Sequence, residues 1–230
     1  MNKSAHWIKT GQSIGTVSPD FRKEIHCPKK IKKATAKVSA YGVYALTVNG
    51  ERIGNALLSP GFTSYKTRIQ YQTYDITEYM KEHNTVSIKC GKGWAVGRIG
   101  WIKKENNPTD GVLAIADIRI EYTDGTCDNT VTDGSWDVYT SEILDSEIYD
   151  GETVDMTEAP HRVCAAVIEK RKMPRLVKQI NEPVTEKRRV AAVKLITTPK
   201  GERVIDFGQN LAGYAEYKSR VRFRLIPFIF

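Results

Sequence analysis

Hydrophobic and polar residues alternate with a period of two through much of this chain. Between Ile31 and Ala40, residues Ala34, Ala36, Val38 and Ala40 share one face and Lys33, Thr35, Lys37 and Ser39 the other. That is the pattern of a strand with one buried and one wet side. Val43 to Val48 alternates in the same way, and Asn49-Gly50 supplies two residues that tolerate positive φ, so a tight hairpin is predicted with its return at Arg52-Ile53. Ser59-Pro60-Gly61 marks the next turn. Arg68 to Ile76 then sets Ile69, Tyr71 and Thr73 against Gln70, Gln72 and Tyr74. Thr85 to Cys90, Leu113 to Tyr122 and Thr126 to Thr132 read as further strands, with a turn at Asp124-Gly125 and another at Asp133-Gly134-Ser135-Trp136.

Helical spacing is almost missing. Only Thr77 to Glu82 reads as a helix of one or two turns, with Asp75 or Thr77 as its cap. Phe21 to Ile25 reads as an edge strand entering a sandwich, and Gly91 to Trp101 as a glycine-rich loop. From about Ala159 to Lys172 the composition turns polar and basic, as in a linker. A second β region follows, with strands at Val190 to Thr197, Val204 to Asn210 and Tyr214 to Tyr217 and a turn at Pro199-Lys200-Gly201-Glu202. Short strands with regular turn punctuation predict an all-β fold, an antiparallel sandwich or jelly roll.

Between Tyr41 and Thr77 the order of the pieces is more specific than any one of them. Val-Asn-Gly-x-Arg-Ile-Gly at 48–54 is followed by Ser-Pro-Gly-Phe-Thr-Ser-Tyr at 59–65 and Gln-Tyr-Gln-Thr-Tyr-Asp-Ile-Thr at 70–77. This series resembles the amino-terminal β-sandwich of bacterial α-L-rhamnosidases. Trp7-Ile8, Phe21-Arg22-Lys23 and the segment around Ile148 to Glu152 are similar to the same region, and Asp206-Phe-Gly-Gln-Asn-x-x-Gly resembles the opening of the second β-domain in those enzymes. The resemblance implies a galactose-binding-like jelly-roll sandwich over residues 1–160, a linker at 161–173 and an incomplete second β-domain at 174–230. It also implies a role as non-catalytic accessory domains, bracing the catalytic domain or shaping its cleft, in an enzyme that hydrolyses terminal α-L-rhamnosides. The catalytic carboxylates of that family sit in an (α/α) barrel, for which this sequence holds no helical region, so the chain alone is expected to be inactive. A free-standing carbohydrate-binding module using the Trp94 to Trp101 loop is the alternative. The end of the chain, Ser219 to Phe230, departs from the family pattern and reads as the product of truncation, a frameshift or a fragment boundary.

A net charge of +8 over 230 residues raises a polyanion partner. The basic residues cluster at Lys29 to Lys33, Lys170 to Lys172 and Lys187 to Arg189, outside any nucleic-acid-binding motif, and read as solvated faces. Neither nucleic acid nor membrane is expected as a partner. Rhamnose-containing glycans, a separately encoded barrel and a second copy of the chain, paired through exposed strand edges, are. The four cysteines, Cys27, Cys90, Cys127 and Cys164, form no C-x-x-C pair, and Met1 to Lys9 has no apolar signal core. A cytoplasmic protein with reduced thiols, Cys90 in its core, is the simplest account.

The loop carries the candidate sugar contacts. Trp94 and Trp101 offer flat faces, Arg98 and Arg68 forked donors, Tyr65 a further aromatic platform, and the glycines let backbone approach a ligand. Where relatives carry Gly-x-Gly-Trp-Tyr, this sequence has Ala95 in place of the tyrosine. Packing against the sandwich end is the bland reading of the same tryptophans, as it is of Tyr65, Tyr71 and Tyr74. Asp145 with Glu147, and Asp150 with Glu152, are of the type that serves in catalysis or calcium binding, but no complete oxygen-ligand loop surrounds them and they read as ordinary charges. No cofactor is expected, with calcium left as an alternative for which the sequence supplies no complete ligand set. His6, His26, His83 and His161 are dispersed and predict no nucleophile or metal constellation.

Overall fold

The predicted Asn49-Gly50 turn forms with both residues at positive φ, 53° and 82°, the twist that suits a two-residue hairpin. A computed structural model describes residues 1–99 and 111–211, which fall into two units divided after Thr185. The first contains β1 (Ile8–Thr10), β2 (Asp20–His26), β3 (Ile31–Tyr41), β4 (Val43–Val48), β5 (Glu51–Arg52), β6 (Arg68–Asp75) and β7 (His83–Gly91). A short helix α1 (Gly93–Val96) precedes β8 (Leu113–Tyr122), β9 (Cys127–Val131), β10 (Asp137–Tyr139), β11 (Ile143–Glu147), β12 (Gly151–Val154), β13 (Arg162–Ile168) and β14 (Arg175–Lys178).

Neighbouring strands run in the order β14-β6-β3-β8-β1-β13-β10-β2-β7-β4-β5, with β9 beside β8. Between the two halves of this path lies the core. Ala34, Ala36, Val38, Ile118 and Ile120 of one half pack with Phe21, Leu46, Val48, Val86 and Ile88 of the other, all buried. Small alanines on β3 leave room for isoleucines on β8 and for the fully buried Trp136, whose indole N–H donates to the Val131 carbonyl at 2.9 Å. The β3–β8 register runs from Ile31↔Tyr122 to Tyr41↔Leu113, so the predicted alternation of β3 decides which side chains meet the core. This is the expected all-β sandwich.

Four expectations are corrected. Strand β2 is not an edge, because β10 pairs with its outer side and β7 with its inner side. The helix expected at Thr77 to Glu82 is one 3-10 turn, Thr77–Tyr79, and Asp75 Oδ1 accepts from the Thr77 backbone N–H and hydroxyl without forming a helical cap. On β6, whose alternation left open which face meets the core, Gln70 and Gln72 are buried along with Ile69: the Tyr44 hydroxyl donates to Gln72 Oε1 at 2.7 Å, and Gln70 Oε1 accepts the Ile180 backbone N–H at 3.0 Å. Residues 161–173, expected as linker, contain β13, which pairs with β1 on one side and β10 on the other. The strand itself is apolar apart from Arg162, and the polar, basic residues that suggested a linker, Glu169 to Lys172, follow it; only Ala166 of the strand is buried. Strand β14 adds to β6 in parallel, a departure from the all-antiparallel pattern.

The second unit contains the hairpin β15 (Lys194–Thr197) and β16 (Arg203–Asp206), turned by Thr198 to Glu202. The expected strand at Tyr214 to Tyr217 and the atypical carboxyl end lie outside the described residues. Among the described residues no helix is long and apolar enough to cross a membrane. All four cysteines are free, with Cys27 and Cys90 buried.

Candidate carbohydrate-contact surface

Gly42 and Val43, at the start of β4, form the floor of the glycine-rich loop. A Cβ at Gly93, where φ is +52°, would lie 2.7 Å from Val43 Cγ1, and one at Gly97 would lie 2.5 Å from the Gly93 carbonyl and 2.8 Å from Glu147 Oε2. These glycines let backbone approach protein. No ligand contact is needed to explain them.

The hairpin β11–β12 holds the loop from its other side. Glu147 is buried, its Oε2 accepting the Arg98 backbone N–H at 3.1 Å and its Oε1 that of Ile148 at 2.8 Å. Asp145 pairs with Lys92 at 2.7 Å, Asp150 pairs with the Arg98 guanidinium, and Glu152 Oε1 accepts from Ser146 Oγ at 3.3 Å. Three of the four acids weighed as catalytic or calcium-binding groups, Asp145, Glu147 and Asp150, are thus occupied in fixing the loop, and Glu152 bonds within the hairpin. Arg98, expected to reach toward a sugar, is turned to Asp150.

Two of the predicted contacts do come together, through a residue the sequence reading passed over. Phe62 is 63% exposed and packs edge-to-face on Trp94 at 5.8 Å and on Tyr65 at 6.0 Å, between ring centroids. Tyr65 in turn meets Tyr41 at 5.9 Å. The signal was available, since Phe62 directly follows the Ser59-Pro60-Gly61 turn that places it outward. Trp94 is half-buried, and Ala95 is fully buried, so position 95 faces the interior and offers no stacking face. Burial pushes the Tyr65 phenol well above its usual value, and its hydroxyl donates to the Gly61 carbonyl at 3.4 Å. Trp101 lies outside the described residues.

Beyond Tyr65 runs a groove of about 600 Å³ lined by Tyr41, Tyr65, Lys66, Arg171, Met173 and Arg175. The Arg171 guanidinium carbon sits 4.8 Å from the Tyr41 ring centroid. Arg68, exposed at the start of β6, is the register partner of Arg175, which places it beside this groove and apart from Arg98. Ridge and groove together present apolar ring faces flanked by guanidinium donors, the two kinds of contact a sugar ring with C–H and O–H faces takes.

The profile of the α-L-rhamnosidase N-terminal domain matches residues 29–198. The chain belongs to the α-L-rhamnosidase N-terminal domain family. An α-L-rhamnosidase of Formosa agariphila is 34% identical over 144 residues, which are 61% of this chain and 16% of that enzyme. The crystal structure of the native α-L-rhamnosidase from Aspergillus terreus superposes with a TM-score of 0.81 at 28% identity, over 92% of this chain and 26% of that one. That of the Streptomyces avermitilis enzyme complexed with L-rhamnose superposes with a TM-score of 0.77 at 28% identity, over 86% of this chain and 20% of that one. The chain therefore spans about a fifth of the length of the relatives it matches.

Outside this surface the structure corrects one further expectation. The dispersed histidines do form a constellation: His26 and His83 stack with ring centroids 4.6 Å apart, beside Glu82.

Proposed function

We propose that this α-L-rhamnosidase N-terminal domain acts as a non-catalytic accessory β-sandwich of a rhamnoside-hydrolysing enzyme, bracing an (α/α) barrel or shaping its substrate cleft. The observation that carries the reading is the family match over residues 29–198 in a chain that covers only a fifth of its relatives. The use of Asp145, Glu147 and Asp150 as loop anchors supports it, because acids held in ion pairs and backbone contacts are not arranged for proton transfer to a glycosidic oxygen. Residues 174–230 are read as the opening of a second β-domain, with β14 at its start counted in the first unit through its pairing with β6. Free buried thiols fit a cytoplasmic setting. The reading is tested by incubating the purified chain with a nitrophenyl rhamnoside and, separately, with an expressed rhamnosidase barrel. No turnover by the chain and co-purification with the barrel are expected; turnover that survives purification overturns the reading.

A second reading is favoured by the exposure of Phe62 beside Trp94 and Tyr65: a module that itself binds rhamnose-containing glycans through the ridge, with Arg68 and Arg175 along the groove as donors. Saturable binding of L-rhamnose or a plant rhamnoside that disappears in Trp94→Ala supports it. Lack of saturation rules it out. Among the described residues the hairpin β15–β16 leaves Leu195, Val204 and Ile205 more than a third exposed, and pairing with a second copy through such apolar surface is part of the proposal.

A further inference from the structure

We propose that His26, His83 and Glu82 form a surface site for a divalent first-row transition-metal ion, with zinc as the probe ion. The site is separate from the aromatic ridge and does not depend on the role assigned to it.

Strands β2 and β7 pair without a break from Asp20↔Lys89 to His26↔His83, so the two histidines are directly opposed at the end of the ladder. The next hydrogen bond runs from the Cys27 N–H to the Glu82 carbonyl at 2.7 Å. A bond between the residue after one partner and the residue before the other marks His26 and His83 as a non-hydrogen-bonded pair, the kind whose side chains stand closest together. Their rings are accordingly stacked, with centroids 4.6 Å apart and planes 17° from parallel.

Glu82 completes the group. Its Oε1 lies 3.7 Å from His26 Nε2 and 3.8 Å from His83 Nε2, and the ligating atoms of all three residues fall within 4.8 Å of one another. Tetrahedral ligands at zinc bond lengths sit about 3.3 Å apart, so small rotations of exposed side chains bring the three onto one ion. Two imidazoles and a carboxylate are a donor set that suits zinc, nickel or copper and is too nitrogen-rich for calcium.

The backbone beneath is already fixed. Buried Asn84 accepts the Lys81 N–H at 2.6 Å and donates to the Lys81 carbonyl at 2.7 Å, closing the turn that carries Glu82. It also donates to the Ile25 carbonyl at 3.3 Å, tying that turn to the strand that carries His26. Only side-chain rotation is left for the ion to arrest. Because the unfolded chain does not hold the three donors together, a bound ion stabilises the folded form.

The test is a calorimetric titration of the chain with zinc after its accessible thiols have been blocked with iodoacetamide. One saturable equivalent is expected, with affinity lowered roughly tenfold or more in His26→Gln and in His83→Gln and abolished in the double variant. His161→Gln leaves it unchanged. Both target side chains are more than half exposed, so the variants keep the fold, which circular dichroism verifies. A zinc-dependent rise in melting temperature that vanishes in the double variant is the second readout. Absence of saturable heat in the unsubstituted chain, or a titration unaltered by the double substitution, overturns the proposal.

Discussion

Glu147 and Arg98 are joined through backbone: the buried carboxylate accepts the Arg98 N–H at 3.1 Å, and the hairpin that carries Glu147 thereby holds the end of the glycine-rich loop. The ridge residue Trp94 stands on this loop, so its position depends on a contact lying on the far side of α1.

Replacing Gly97 by Ala places a methyl 2.5 Å from the Gly93 carbonyl and 2.8 Å from Glu147 Oε2. Neither neighbour can withdraw, one being backbone and the other held by two N–H donors. The substitution is expected to cost about 1–3 kcal/mol, read as a lowered midpoint in urea unfolding. An unchanged midpoint would show that the hairpin does not grip the loop.

Tyr44 carries the polar centre of the sandwich. Its hydroxyl lies 2.7 Å from Gln72 Oε1, 3.2 Å from the Val38 carbonyl and 3.0 Å from the Tyr74 hydroxyl, and burial pushes its pKa far up. Tyr44→Phe leaves the Gln72 carbonyl oxygen without its shortest contact at no cost in volume, for an expected loss of about 1–3 kcal/mol. Tyr44→Phe combined with Gln72→Leu is expected to recover part of that loss, and no recovery would mean the two side chains are not coupled.

Thiol reactivity should separate into two classes. Burial raises the Cys90 thiol far above its usual value and also raises that of Cys27, while Cys127 is exposed and Cys164 half-buried. Mass spectrometry after brief alkylation at neutral pH is expected to find Cys127 modified first and Cys90 unmodified until the chain is denatured. Early labelling of Cys90 would contradict the packing of β7.

Acid sensitivity follows from depressed carboxylates. The Lys89 ammonium, 2.5 Å away, lowers the Glu142 pKa, and Lys29, at 2.8 Å, together with Thr126 lowers that of Asp124. A group with a depressed folded pKa stabilises the fold above its unfolded pKa, and that contribution is lost as pH falls through the folded value. Melting temperature is therefore expected to be flat above about pH 5 and to drop below about pH 4. Glu142→Gln should make the acid slope shallower, and a slope identical to that of the unsubstituted chain would remove Glu142 from the account.

Local periodicity was sufficient to find β3 and β4, where apolar residues recur at every second position. It set Ser39 on the wet face, however, whereas Ser39 is fully buried and donates to the Gln70 carbonyl. Strand β8 was legible as an apolar run and not as an alternation, being buried on both faces from Leu113 to Ile118. The Asn49-Gly50 hairpin and the family resemblance were legible for a similar reason: both are written in short contiguous segments. The burial of Gln70 and Gln72 was not, since period two separates the faces of a strand without saying which one meets the core, and here the Tyr44 hydroxyl drew the polar face inward. Nor was the placement of β13 between β1 and β10, which depends on partners more than 20 residues away along the chain; the basic run Lys170 to Lys172 just after the strand gave the whole stretch the look of a linker. The opposition of His26 and His83 belongs with these. It exists only because seven consecutive residue pairs of β2 and β7 share one register, and register is a property of two strands together.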